Sequence, residues 1–296
     1  MDLKQSYDYC KQLANSHYEN FPVASILLPK RLRKPISVIY AFARTADDFA
    51  DEGNASQQTR LLQLDNYSDN LEQINHQGYQ GQDPIFIALD DVIKTHELPL
   101  SLFEDLLSAF KQDVVKSRYV DFDEVIDYCT RSANPVGRLL LLLAEEPTIK
   151  QLQQSDAICS ALQLINFYQD IVQDITESDR VYIPKNELVH HGISEQQLTE
   201  LNTVDIAPLI RKQYQRAHTL MASGIELGQF LTGRLGWEVR AMTLAGIVTL
   251  DRLMSQDDHS LLARPRLSKL TLLTVLFNSF CKTRYRHCAD KLLNKH

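Results

Sequence analysis

An all-α fold is what this sequence predicts, and three observations predict it. Gly and Pro are scarce, with 10 of each in 296 residues. Runs of β-branched residues are few, which argues against a sheet. Apolar residues make up 44% of the chain and recur mostly at helix spacing. That content suffices for a sizeable core in one large domain or two. No solenoid repeat or low-complexity segment divides the chain, so 1–296 reads as a single domain with long central helices.

The elements follow from the breaks between them. Helices are expected near 3–15 and 35–52, parted by Pro29 and Pro35. Gly53-Asn54 ends the second, and a third spans 57–76. The stretch from Gly78 to Pro84 introduces a helix at 84–95, and Pro99 the next at 100–114. A pattern at 122–144 is interrupted at Asn134-Pro135, because the residue before Pro is pushed out of the α region. After Pro147 comes a long helix at 149–176, which has the clearest amphipathic character. Leu152, Ile158, Leu162, Ile165 and Val172 are its candidate core residues. Helices at 204–230, 236–255 and 268–292 complete the chain, with turns at Pro184 and Arg264-Pro265.

Charge and cysteine usage exclude some functions. The net charge is −7 and no long basic tract occurs, which argues against nucleic-acid binding. The cysteines, Cys10, Cys129, Cys159, Cys281 and Cys288, are odd in number and contain no CxxC pair. Reduced thiols in a cytoplasmic protein are expected, not a disulfide framework or a zinc site. The opening MDLKQSYDYCKQ has no apolar signal core. The longest apolar runs, such as Leu139–Ala144 and Leu270–Phe277, fall short of the ~20 residues that span a bilayer. Peripheral attachment at the inner face of the membrane stays open.

Two acidic rows stand out. In YAFARTADDFADE, spacing gathers Tyr40, Arg44, Asp47, Asp48 and Asp51 onto one broad helix face. Within 149–176, Asn166, Asp170 and Asp174 recur every four residues, giving a slanted polar stripe. Like charges at this spacing are unfavourable on an isolated helix, so two such rows invite a cation. Carboxylate and amide oxygens without His or Cys favour Mg²⁺ over zinc or iron. Arg44 would suit a diphosphate oxygen. A merely solvated acidic face is the plain competitor. Asp90-Asp91 and Asp257-Asp258 lack a third acid one turn on and read as ordinary surface. A di-iron bundle is disfavoured, because neither row contains a Glu-x-x-His pair.

These rows resemble a known family. Asp47-Asp48-Phe-Ala-Asp51 looks like the first aspartate-rich motif of the squalene/phytoene synthases, and Asn166-Phe-Tyr-Gln-Asp170-Ile-Val-Gln-Asp174 resembles the second. Arg180-Val-Tyr182-Ile-Pro184 follows at the family's distance, and the likeness runs from about His17 to Arg252. His17-Tyr-Glu-Asn-Phe21 and Asn134-Pro-Val-Gly-Arg138 are similar to the hydroxysqualene synthase branch found in bacterial hopanoid pathways. Gln169, where phytoene synthases and reductive squalene synthases usually carry Arg, favours that branch.

The resemblance implies a single isoprenoid-synthase helical bundle around a central apolar cavity. It implies presqualene diphosphate as substrate, hydroxysqualene as product, two or three Mg²⁺ and no NADPH. Metal ligands would be Asp47, Asp51, Asn166, Asp170 and Asp174, with Asp48 in support. Arg44 and Arg180 would grip the diphosphate. Phe21, Tyr40, Tyr128, Phe167 and Tyr182 are candidate ring faces for a cation, although each ring taken alone reads more readily as ordinary core packing. His17 is a candidate for diphosphate or proton handling, or a helix-end residue with a local bond. Asn134 would line the cavity, where by itself it is only a bend. Arg211, Lys212 and Arg216 are expected on a solvated helix face. Arg264 and Arg266 flank a proline that could close over the mouth. Functional coupling to other squalene-pathway enzymes is implied. The alternatives are a head-to-head synthase acting on two prenyl diphosphates, such as farnesyl diphosphate, and a non-catalytic assembly-factor relative.

Overall fold

A computed structural model describes residues 2–16, 29–144, 147–199 and 203–296. His17 and Phe21 lie outside the described residues. The described residues are helical, with no strand beyond one isolated bridge between Arg118 and Val181. The helices are α1 (Leu3–Ser16), α2 (Lys30–Asp51), α3 (Gln57–His76), α4 (Pro84–His96), α5 (Ser101–Val115), α6 (Phe122–Ser132), α7 (Asn134–Ala144) and α8 (Ile149–Gln169). They continue with α9 (Ile171–Ser178), α10 (Lys185–His190), α11 (Glu195–Thr199), α12 (Thr203–Gly224), α13 (Leu227–Phe230), α14 (Gly233–Met254), α15 (Lys269–Phe280) and α16 (Lys282–Leu293).

Several expected boundaries move. Helix α2 begins before Pro35 and carries it inside, buried, which forfeits one backbone hydrogen bond. The expected 122–144 helix divides at Ala133, the 149–176 helix at Asp170, and the 268–292 helix at Cys281. Short helices α10 and α11 lack the length that makes periodicity readable. Helix α8 is not two-faced. Ile158, Ala161 and Ile165 are buried, and so are Ser160, Leu164 and Phe167 on another side. Of the expected core positions, Leu152, Leu162 and Val172 are only half-buried.

Contacts gather in two compact units. One holds the residues up to Lys116 together with Pro135–Thr148. Its centre is a knot of rings contributed by α2 to α5. Phe42 lies 5.7 Å from Tyr67, 5.9 Å from Phe86 and 5.5 Å from Phe103, centroid to centroid. Offset and edge-on rings of this kind add to plain burial. Helix starts are capped locally: Ser56 accepts from the Thr59 N–H and Asp83 from the Ile85 N–H. Asp91, expected as ordinary surface, accepts the Tyr7 hydroxyl at 2.6 Å, and Asp90 pairs with Lys94 at 2.8 Å.

The second unit comprises Ser117–Asn134 and Ile149–His296. Helices α8 and α12 pack closely at Gly224, where an added Cβ would stand 2.7 Å from the Gln154 carbonyl oxygen. Arg240 of α14 is buried and donates to the Gly228 carbonyl at 3.0 Å and the Ser279 carbonyl at 2.7 Å, tying α13 and α15 to α14. Asp257 closes a turn by accepting the N–H groups of His259 and Ser260, and Asp258 holds Arg211. Arg211 and Lys212 keep 40% and 46% of their side chains exposed, as expected of a solvated face, but all three cations are paired. Lys212 and Arg216 converge on the buried carboxylate of Glu187, which long-range folding brings under α12.

Candidate active site

The first acidic row stands on the last two turns of α2. Arg44 reaches Asp48 at 2.6 Å and Asp47 at 3.5 Å, and also pairs with Glu52. Spacings of three and four residues place these groups side by side. Burial disfavours the Arg44 charge, but Asp48, Asp47 and Glu52 outweigh that and hold it more firmly protonated than usual. Tyr40, one turn earlier, is half-buried. Burial raises its phenol, Arg44 opposes, and Asp48 and Asp47 push the same way as burial. Asp51 is exposed at the helix end. Arg44 is thus the counter-charge of its own row, and gripping a diphosphate would mean sharing it with these carboxylates.

The second row crosses the junction of α8 and α9 and does not lie on one continuous helix. Asp170 sits at φ −107°, ψ 12° and starts α9. The backbone ladder survives the bend: Asp170 N–H donates to Asn166 O at 3.0 Å, and Asp174 N–H to Asp170 O at 2.7 Å. The three residues consequently stay one turn apart. Asn166 is exposed; Asp170 and Asp174 are half-buried. Arg264, from the segment before α15, closes on Asp170 at 2.8 Å. Burial raises the Asp170 carboxyl, and Arg264 only partly offsets this. Gln169 donates to the Pro265 carbonyl at 3.2 Å, fastening the same segment to α8. Arg266 instead offers its backbone carbonyl to Arg252, at 2.7 Å.

A narrow hollow opens beside this row. Its lining includes Asp174, Arg180, Phe167, Tyr182, Ile171 and Ile175. Local turn chemistry brings these together. Asp179, left-handed at φ 49°, ends α9, and the Arg180 N–H returns to the Asp174 carbonyl at 2.9 Å. Val181 then bonds the Ser117 carbonyl at 3.0 Å, which aligns 181–186 with 117–120. Tyr182 consequently stacks on Phe167, with centroids 3.5 Å apart and planes 7° apart. Tyr128 stands 6.0 Å from Phe167, and Tyr119 5.4 Å from Tyr182. Sequence reasoning missed Tyr119, which is buried and fifteen residues before the nearest motif, at Asn134. Only its place opposite Val181-Tyr182 puts it there.

Asn134 is buried where α7 begins, and its Oδ1 accepts the Ser160 hydroxyl of α8 at 2.9 Å. Of the predicted residues, Asp174, Phe167, Arg180, Tyr182 and Tyr128 come together in one place; Asp170 and Asn166 continue the same row. Among the described residues, no three or more His, Cys, Asp and Glu side chains gather around one point. The donors in both rows are nevertheless carboxylate and amide oxygens, the set that a hard divalent cation takes. Each row is matched by a guanidinium, so positive charge is what these oxygens attract. Among the described residues, no helix is long and apolar enough to cross a membrane.

Comparison with known proteins places the chain in a family. The squalene/phytoene synthase family model matches residues 14–271. A hydroxysqualene synthase of Rhodopseudomonas palustris is 37% identical over 226 residues, which are 75% of this chain and 74% of that protein. One from Sinorhizobium fredii is 34% identical over 257 residues, 86% of this chain and 85% of that protein. Among solved structures, squalene synthase HpnC from Alicyclobacillus acidocaldarius superposes with a TM-score of 0.78. It is 32% identical, and the match covers 85% of this chain and 94% of that one. With the family model spanning most of its length and such relatives on either side, this chain belongs to the squalene/phytoene synthase family.

Proposed function

We propose that this enzyme ionises presqualene diphosphate and lets water capture the rearranged cation, giving hydroxysqualene and diphosphate. The observation that carries the reading is the hollow where Asp174 and Arg180 meet the Phe167–Tyr182 stack. It sets charged groups suited to a diphosphate beside a cluster of aromatic side chains. The hydroxysqualene synthases among its relatives supply the substrate class.

The chain acts as one catalytic domain, 1–296, in which both acidic rows serve one substrate. Two or three Mg²⁺, held by Asp47, Asp51, Asn166, Asp170 and Asp174, would supply positive charge to the departing diphosphate. Arg44 and Arg180 donate to its oxygens, and Asp48 holds Arg44 in position. As the C–O bond breaks, the electron pair leaves with the diphosphate. Preorganised cations stabilise that charge without reorganising. Phe167, Tyr182, Tyr128 and Tyr40 present ring faces to the carbocation, with Phe21 and His17 assigned to the substrate by resemblance. Asn134 lines the same cavity. Water adds its oxygen to the cation and releases a proton, so no reductant is consumed and no NADPH is needed. A lipid-soluble substrate and product favour work at the inner, cytoplasmic face of the membrane, coupled to other enzymes of the squalene pathway.

The test is product analysis by mass spectrometry with presqualene diphosphate and Mg²⁺, with and without NADPH, and separately with farnesyl diphosphate. Hydroxysqualene formed without NADPH is expected. Consumption of farnesyl diphosphate alone would instead make the protein a head-to-head synthase.

A further inference from the structure

Helix α15 is turned the wrong way round for a protein surface in water. Its inward side is held by Val275 and Ser279, both buried. Its outward side is Leu270, Leu273, Phe277 and Phe280, which are 74%, 63%, 62% and 67% exposed. These positions are spaced three, four and three residues apart, so they form one stripe along the helix. Leu272 and Leu276 widen it, at 42% and 37% exposed. Trp237 of α14 borders the stripe, its ring 5.3 Å from that of Phe280 and perpendicular to it. Scattered single apolar residues on a surface are ordinary, but a contiguous patch of this kind marks a binding face.

The charge around the stripe says what it binds. The whole chain carries −7, yet residues 264–296 hold eight Lys and Arg against one acid, Asp290. Lys269 precedes the stripe, and the Arg284 guanidinium lies 4.4 Å from the centre of the Phe277 ring. Cations at the edge of exposed Leu and Phe, with a half-buried Trp beside them, are the composition of a helix lying in a bilayer interface. Basic clusters of this kind are drawn to anionic headgroups.

We propose that α15 is the membrane-docking face of the protein and that its partner is an anionic lipid surface. The stripe enters the boundary between headgroups and acyl chains, while Lys269, Arg266 and Arg284 meet the lipid phosphates. This rests on the peripheral placement proposed above and is independent of the substrate assignment.

Flotation with vesicles of phosphatidylcholine alone, or with added phosphatidylglycerol, tests it on the full chain without substrate. Wild type is expected to float with the anionic vesicles, and salt is expected to release it. Leu273→Ser with Phe277→Ser is expected to cut binding about tenfold or more, with an unchanged melting temperature, because both side chains face solvent. Lys269→Glu with Arg266→Glu is expected to weaken binding to anionic vesicles only, and it leaves the apolar stripe intact should the first variant misfold. Vesicle binding that neither variant alters would overturn the assignment to α15 and leave the peripheral placement standing. No binding to either vesicle would overturn both. A wild-type dimer in light scattering that the serine variant dissociates would make the face a contact between copies and overturn the lipid proposal.

Discussion

The guanidinium of Arg264 grips the carboxylate of Asp170 with both sides of its fork: Nε stands 2.8 Å from Oδ1 and Nη2 3.2 Å from Oδ2. Two parallel contacts of this kind fix direction as well as distance. They also occupy the oxygens that a metal would take, so Arg264 and a cation compete for the second acidic row.

Arg264→Ala is therefore expected to tighten metal binding. The pair is half-exposed, where an ion pair contributes ~0.2–1 kcal/mol, so the gain is at most about fivefold. Titration of Mn²⁺ followed by electron paramagnetic resonance at pH 8 reads it directly. Asp170→Asn should weaken the same titration whether or not Arg264 is present. An Arg264→Ala enzyme that binds Mn²⁺ more weakly than wild type would show that Arg264 assembles the site instead of competing for it.

How far the sequence reveals this site depends on the separation of the partners. Arg44, Asp47 and Asp48 meet because a helix places residues three and four apart on one face, and that rule is local. The contact between Asp170 and Arg264 spans 94 residues, and no spacing rule reaches so far. The bend at Asp170 is hidden for a related reason: the i,i+4 bonds run through it, so its periodicity resembles that of an unbroken helix. Tyr119 joins the ring stack only because 117–120 lies against 181–186. Lys212 and Arg216 look like surface charge until Glu187, 25 and 29 residues away, is folded beneath them. The all-α class was readable because it rests on composition and period alone.

Asn134 offers a way to separate support from catalysis. Its Oδ1 accepts the Ser160 hydroxyl in a buried setting, and losing one partner strands the other at a cost of ~1–3 kcal/mol. Asn134→Ala and Ser160→Ala both delete this bond, so both should lower the melting temperature. Only Asn134→Ala should also lower kcat if its amide lines the reacting cavity. Equal kcat losses in the two variants would reduce Asn134 to a packing role.

The Phe167–Tyr182 stack predicts an effect on products. Tyr182→Phe keeps the ring and should preserve the product ratio. Tyr182→Leu removes the stacked face, expected to cost ~0.5–1.5 kcal/mol beyond area burial. Without that ring face the carbocation is less well held, and a larger share of product should arise by proton loss in place of water capture. Gas chromatography of the extracted products measures the ratio; identical ratios in the two variants would remove the stack from the mechanism.

Glu187 predicts a pH dependence of stability that does not involve the acidic rows. Burial pushes its carboxyl up, but hydrogen bonds from Arg216 and Gln213, the Arg216 charge and a bond from Lys212 outweigh it, so the carboxyl titrates below the usual range. A carboxylate held this way contributes stability above the ordinary Glu range, and loses it as pH falls through the lowered folded value. Glu187→Gln keeps the shape and removes the charge facing Arg216 and Lys212. It is expected to be ~1–3 kcal/mol less stable at pH 7, measured by urea unfolding. The gap should narrow as pH falls below the ordinary Glu range and close only beneath the lowered folded value, where the wild-type carboxyl also becomes neutral. A gap that stays constant down to that acidity would mean that packing around residue 187, and not its charge, holds α10 against α12.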